Sequence, residues 1–512
     1  MTKPGAQMKA QAVTAASVLA SFIITMAVTA QPVPSSAPVT APPPLEAQQL
    51  FTDTCAGCHG TTLTGGRGPS LFGERFLTEH SDDEIVGIIQ NGISTGGMPS
   101  FSDQLKEEQI RQIVAYLRIQ GGRLKDRPVF IPDPNNQIIR SQKQTFRIEV
   151  VAAGIETPWG MAFLPDGRML VTSRGGVLHV LDRHGHLLPD PVVGTPKVFV
   201  RQDGGLLDVA LHPDYRRNGW VYLSYTEVKP GVTPDPGSDV APNIAPPTMT
   251  VLVRGRIRNN RWVDNQVIFR APSELYTTTS DHYGSRFLFD GKGHLFYSLG
   301  ERHNMANAQD LSVPMGKIHR VNDDGTAPAD NPFVGTPGAL PTIWSYGHRN
   351  PEGLAFDPLT GLLWESEHGP TGGDEINIIE KGHNYGWGVV SMGLEPGLTK
   401  QHQDGMDDPI AFYTPTIAPS GISFYSGDRY PGWKNNLFVA ALAGQELLRI
   451  EVDGRRILSQ EAVFKEYGRV RDVKTGPDGL LYVLLQNPTG AGTGMLLSAP
   501  TNGMLIRLVP QP

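Results

Sequence analysis

Phe163-Leu164-Pro165-Asp166-Gly167, followed at once by the apolar run 169–172, is the stretch that decides the fold. A turn of proline, aspartate and glycine reverses the chain, and a short strand of apolar and β-branched residues follows. The unit recurs. Leu211-His212-Pro213-Asp214 precedes a strand at 220–224, Phe289-Asp290-Gly291-Lys292-Gly293 one at 294–298, and Phe356-Asp357-Pro358 one at 362–365. Phe424-Tyr425-Ser426-Gly427-Asp428 precedes a strand at 436–440, and Gly476-Pro477-Asp478-Gly479 one at 480–484. Six copies of one turn-and-strand unit predict an all-β six-bladed β-propeller over residues 146–512. A β-sandwich would account for the strands but not for the repeat.

Working outward, 512 residues are too many for one core, and the composition changes before the repeats begin. Phe51-Thr52-Asp53-Thr54-Cys55-Ala56-Gly57-Cys58-His59 holds the only two cysteines of the chain. The pattern C-x-x-C-H is the attachment signature of c-type haem. Two thiols about one helical turn apart can add to two vinyl groups on one macrocycle edge, and His59 is then aimed at the iron. A zinc site lacks two further ligands nearby, and a thioredoxin-type motif lacks its βαβ setting. Met98, in the turn Gly96-Gly97-Met98-Pro99, is the expected sixth iron ligand, with His80, beside the helix start Ser81-Asp82-Asp83-Glu84, as its rival. Ile110, Ile113, Val114 and Leu117 mark a helix over 106–120 that Gly121-Gly122 is expected to stop. Residues 45–122 therefore read as a small all-α domain resembling a class I cytochrome c, with 123–145 as a linker.

The first residues read as an export signal, 1–30, with Lys3 and Lys9 before an apolar stretch and Val28-Thr29-Ala30 at its end. Left uncleaved, the same segment would be a membrane anchor and the only membrane contact. Residues 31–44, with Pro42-Pro43-Pro44, read as an extended linker. A net charge of −7 with 19% charged residues offers no basic stripe for a nucleic acid.

The propeller's loops carry specific blocks: Gly205-Leu206-Leu207-Asp208, Asp281-His282-Tyr283-Gly284-Ser285-Arg286, Tyr346-Gly347-His348-Arg349-Asn350-Pro351, Glu367-His368-Gly369-Pro370 and Asn384-Tyr385-Gly386-Trp387. In this order they resemble the soluble quinoprotein glucose/sorbosone (aldose sugar) dehydrogenases. The resemblance implies pyrroloquinoline quinone (PQQ) and Ca²⁺ as cofactors beside the haem c. It makes His282 the general base toward a sugar's anomeric hydroxyl, with Glu301 in place of a family aspartate that supports it. By residue type alone, His282 reads more readily as a structural histidine. The resemblance also places Arg349 and Asn350 on the quinone's carbonyl oxygens and Arg469 and Arg471 on its carboxylates, the bland reading of that pair being surface charge. Gly369 and Pro370 correspond to backbone carbonyl ligands of Ca²⁺. Three positions depart from the family pattern: Asp203, beside Gln202, stands at a substrate glutamine, Ala443 at a lysine, and Tyr413 at a displaced aromatic over the sugar. The expectation is a periplasmic enzyme that oxidises an aldose at C1 and passes electrons through its haem to a downstream cytochrome or terminal oxidase. The contrasting expectation is a non-catalytic carbohydrate- or protein-binding propeller carrying an electron-transfer domain.

Overall fold

Six α-helices, four of them in one N-terminal group, and six small sheets are found among the described residues of a computed structural model, which are 45–59, 63, 71, 80–93, 98–124, 133–233, 246–370, 372–395, 397–414, 416–486 and 502–511. The expected export segment, the proline-rich linker, Gly96-Gly97 and residues 125–132 of the expected inter-domain linker lie outside the described residues. Among the described residues no helix is long and apolar enough to cross a membrane.

The helical domain comprises α1 (Leu45–Thr54), α2 (Ala56–His59), α3 (Asp82–Asn91) and α4 (Glu107–Leu124). Ile110, Ile113, Val114 and Leu117 share the buried face of α4 with Phe51 of α1 and Ile85 and Ile89 of α3. α3 begins at the expected point. Ser81 Oγ accepts from Glu84 N at 3.3 Å and Glu84 Oε2 from Ser81 N at 2.6 Å, a reciprocal capping box. α4, however, continues through Gly121-Gly122 to Leu124 rather than stopping there. Glycine weakens a helix by about 1 kcal/mol per residue but does not forbid it.

Each repeat strand read from the sequence is the second strand of a blade. Blade 1 is Pro158–Phe163, Met169–Ser173 and Val177–Leu181; blade 2 is Leu206–Leu211, Val221–Val228, Thr248–Arg258 and Arg261–Phe269. Blade 3 is Phe287–Phe289, His294–Leu299, Lys317–Asn322 and Ile343–Tyr346; blade 4 is Pro351–Phe356, Leu363–Glu367, Asp374–Ile379 and Ala411–Tyr413. Blade 5 is Pro419–Phe424, Leu437–Ala441, Glu446–Asp453 and Arg456–Lys465. Blade 6 joins both ends of the propeller: Arg469–Thr475, Leu481–Gln486 and Asn502–Pro510 pair onward to Thr145–Glu156 and the edge strand Ile138–Arg140. The propeller thus starts inside the expected 123–145 linker. Three residues with a 60% exposed Ile138 carry too little pattern to show as a strand.

All pairings within blades are antiparallel, and the second strands are buried on both sides, as in Leu437–Ala441. The innermost strands of blades 1, 2, 4, 5 and 6 each shift register against the second strand near their start. Such bulges bend a strand and re-aim its side chains, and here they turn polar groups toward the propeller's centre. Buried Arg286 donates to the Glu352 carbonyl at 2.8 Å, lies 3.3 Å from Asp208 and stacks 4.3 Å from the Trp159 ring. Charges taken out of water persist only when partnered in this way.

Candidate active site

His282 stands in the loop before the inner strand of blade 3 with φ at +54°, a conformation costly for a non-glycine residue. Its Nδ1 lies 2.5 Å from Glu301 Oε1, both side chains being 2% exposed. Glu301 follows strand His294–Leu299, and its backbone N donates to the Arg349 carbonyl at 2.8 Å. Burial pushes the Glu301 carboxyl up to about 7, against the opposing pull of Arg349 and His303. Gly300 makes the pairing possible, since a Cβ there would meet the His282 carbonyl and come within 2.8 Å of Asn350 Oδ1.

Two residues absent from the sequence expectations complete this corner. The His303 ring stacks on His282 at 4.1 Å and 18°, and its Nε2 pairs with Asp281 Oδ2 at 2.7 Å. Arg302 and His303 both have positive φ. Consecutive strained residues beside a buried histidine mark a functional loop. Asp281 precedes His282 in the sequence with no pattern that assigns it a role, and His303 has no signal beyond its residue type.

Arg349 and Asn350 hold the next corner. Arg349 N donates to Glu367 Oε2 at 2.6 Å, and its guanidinium reaches the His368 carbonyl at 3.2 Å and lies 5.1 Å from the Trp387 ring. Asn350 Oδ1 accepts from Gly284 N at 3.0 Å and its Nδ2 donates to Glu352 at 3.2 Å. Glu352 also binds Arg471 at 2.5 Å and Ser420 at 3.0 Å. Burial opposes its ionisation, yet the charges of His368 and Arg471 hold it below the usual carboxylate range.

Arg471 is itself the extra residue of the bulge between Val470 and Asp472, so simple strand alternation from Arg469 does not place it. The two converge nonetheless. Burial depresses both guanidiniums, Arg469 to about 10; the charge of Arg471 adds to this at Arg469 and that of Arg286 at Arg471, while Asp203 counteracts at both. Burial likewise lowers Arg174 to about 10, with Asp203 and Glu156 opposing and Arg471 assisting. Three arginines coupled in this way are suited to an anion, and Arg174 among them carried no signal in the sequence. Asp203 therefore faces arginines. Gln202, at φ +45°, is the one of the two that lines the central cavity, where Ser280 Oγ donates to its Oε1 at 2.5 Å. Tyr413 does not line that cavity: its hydroxyl donates to Gln460 at 3.0 Å on blade 5, and its carbonyl accepts from Gly373 N at 2.8 Å. As part of an outer strand it turns away from the propeller's centre. Ala443 sits in the turn after Leu437–Ala441, its N donating to the Ile417 carbonyl at 2.9 Å.

Gly369 and Pro370 line a recess of about 10 Å³ with Arg349, Glu367, Glu375, Tyr385 and Trp387. Behind it, His348, Glu365 and Glu367 bring one ligand atom each within 4.8 Å of one another. Burial and the neighbouring Glu367 raise Glu365 and Glu375 well above the usual carboxylate range. Asn377 Nδ2 reaches all three carboxylates at 3.1–3.4 Å.

In the helical domain, buried His59 and Met98 line one cavity with Cys55, Cys58, Phe51, Ile85, Ile89 and Leu117. His80 is not on that wall; Arg118 holds its carbonyl at 2.7 Å. Ile93 and Met98 exchange backbone hydrogen bonds of 2.8 and 3.2 Å, and Gly92 at φ +67° has no room for a Cβ against the Met98 carbonyl. Burial, with Cys58 beside it, pushes the Cys55 thiol up to about 12. The same cavity, about 680 Å³, continues to Gln202, Asp281, His282, Glu301, His303, Arg349 and Trp387 of the propeller.

A hydrogen-bonded histidine–glutamate pair and a cysteine–histidine wall around one space suit an oxidoreductase. The chain belongs to the glucose/sorbosone dehydrogenase family, whose model matches residues 155–497, and residues 42–117 match the family described as cytochrome c oxidase, cbb3-type, subunit III. The aldose sugar dehydrogenase YliI of Escherichia coli is 39% identical, over 68% of this chain and 91% of the relative. The apo-form structure of the soluble aldose sugar dehydrogenase from Escherichia coli superposes with a TM-score of 0.63 at 35% identity, covering 72% of this chain and all of that one. The PQQ-bound aldose sugar dehydrogenase from Streptomyces coelicolor gives 0.54 at 27% identity, covering 73% and 100%.

Proposed function

We propose that the chain oxidises an aldose at C1 to the lactone, with PQQ and Ca²⁺ in the propeller, and delivers electrons to haem c carried on Cys55 and Cys58. The observation that carries the reading is the single cavity walled by His282, Glu301 and Arg349 on one side and Cys58, His59 and Met98 on the other. The residues fit all three groups. Apolar walls, a histidine and a thioether suit a haem. Buried arginines at 174, 469 and 471, still cationic and mutually crowded, suit a polycarboxylate. Backbone oxygens of Gly369 and Pro370 beside Glu367 and Glu375 suit a hard cation, which would also relieve the buried carboxylates.

When bound, the quinone would supply a two-electron acceptor, the haem a one-electron outlet, and calcium Lewis acidity. The chain's own residues do the rest. With Glu301 ionised, His282 Nδ1–H donates to it, which fixes the tautomer that leaves Nε2 to take the proton from the sugar's anomeric hydroxyl. Glu301 then stabilises the imidazolium. Arg349, held by Glu367 and the His368 carbonyl, presents positive charge where negative charge develops. Gln202, on the same cavity wall, offers an amide for orienting a sugar. Export to the periplasm, with a downstream cytochrome or terminal oxidase as acceptor, fits a haem that must be reoxidised one electron at a time. Absorption spectra of the protein loaded with haem, PQQ and Ca²⁺ test the reading: adding an aldose should reduce quinone and haem in turn. Reduction by sugar only with a nicotinamide cofactor present would overturn it.

A further inference from the structure

Gly57, between the two motif cysteines, is a glycine that its own backbone does not require. It lies within α2 and has no left-handed φ, and glycine is a poor helix residue. What it provides is closeness. A Cβ at Gly57 would fall inside the Thr416 methyl of the propeller and 3.3 Å from the Thr416 Cβ.

Thr416 is held firmly. Its hydroxyl donates to Asp374 Oδ2, which also accepts from Ile417 N at 2.6 Å and Ala418 N at 2.7 Å. The other oxygen of Asp374, a fully buried residue, accepts from Gly369 N at 2.8 Å. One carboxylate therefore carries both the loop beneath Gly57 and the loop proposed to bind calcium and quinone.

We propose that the Gly57–Thr416 contact is the docking point that seats the haem-bearing face of the helical domain on the propeller, closing the shared cavity so that both redox groups occupy one enclosed space. The proposal rests on the function given above. For each sugar oxidised, the reduced quinone must return two electrons and two protons. Each electron reduces one ferric haem iron to ferrous, an external one-electron carrier reoxidises the iron in between, and the protons leave to solvent. Only the electrons cross the docked face, and its geometry sets their rate.

Size complementation in the full-length haem protein tests this. Small-angle scattering without quinone reads docking directly. Rapid mixing with quinone, Ca²⁺ and aldose reads quinone and haem reduction separately. Gly57→Val should raise the radius of gyration and slow sugar-driven haem reduction at least tenfold, with quinone reduction and the haem spectrum unchanged. Gly57→Ala should do the same more mildly, and adding Thr416→Ser, which removes the methyl but keeps the hydroxyl on Asp374, should restore both readouts. Should Gly57→Val fail to mature, the Gly57→Ala pair decides. Wild-type scattering and haem rates in the glycine variants, or no recovery in the double variant, would overturn the docking point. If sugar reduces no quinone in the wild type, the functional reading fails while scattering still judges the contact.

Discussion

His282 and Glu301, 2.5 Å apart and both almost wholly buried, form one hydrogen-bonded pair. His282→Ala should lower aldose-driven quinone reduction by at least the ~10²-fold of a lost general base, while dithionite still reduces the haem. The pH profile of kcat/KM tests the pair. Burial raises Glu301 to about 7, so as pH falls through 7 it takes up a proton and no longer supports the imidazolium; activity should fall on the acid side. Glu301→Gln removes that charge at every pH, so activity should drop roughly tenfold and the acid limb attributable to Glu301 should flatten. An unchanged acid limb would assign it to another group. At the haem, Met98→Ala should abolish the sulfur-to-iron charge-transfer band of the oxidised protein, and His80→Ala should leave it in place. The reverse result would make His80 the ligand.

Among elements, strands Leu363–Glu367 and Asp374–Ile379 of blade 4 carry the heaviest electrostatic load. They gather the buried Glu365 and Glu367 and the half-buried Glu375 around one asparagine. Glu365 and Glu375 have folded-state affinities for protons raised by burial and by Glu367. Groups raised in this way favour the folded state at low pH and cost stability as pH rises through their folded values. Calcium should therefore stabilise the protein more at pH 8 than at pH 5.5. A hundredfold excess over Kd contributes about 2.7 kcal/mol where the site is fully competent. Calorimetry with Ca²⁺ and with a chelator at both pH values checks this; equal shifts at both would remove the carboxylates from the site. Chelation should also abolish sugar oxidation, reversibly.

At the scale of the molecule, blade 6 closes the ring by pairing Thr145–Glu156 with Asn502–Pro510. Phe146 on the closing strand is fully buried and meets the Trp433 ring edge-on at 5.6 Å. Phe146→Ala should cost about 3–5 kcal/mol of stability through the cavity it leaves. The closing strand lies at the outer side of blade 6, remote from the inner strands that carry the site, so kcat should hardly change. Denaturant midpoints and steady-state rates on the same samples separate the two effects. A lost kcat at unchanged stability would mean that closure tunes the site directly.

Local chemistry was legible without a fold. Six turn-and-strand repeats showed in the sequence because each second strand is buried on both sides and must be apolar, and each turn must admit glycine or proline. The haem motif was legible because covalent attachment fixes the spacing of Cys55, Cys58 and His59. The capping box at Ser81 was legible because its partners are three residues apart. Tertiary structure alone decided what depends on approach through space. It turned Asp203 toward Arg174, Arg469 and Arg471 and left Gln202 on the cavity, one residue apart on a loop whose direction no pattern records. Tyr413 reads as a substrate aromatic until blade 4 places it on an outer strand. His303 joins the catalytic corner through a ring stack between positive-φ residues, an arrangement that carries no sequence period. Gly57, invisible among the variable positions of C-x-x-C-H, acquires its meaning from a threonine far along the chain. Periodicity and covalent spacing are written locally, whereas contacts between distant segments exist only once the ring has closed.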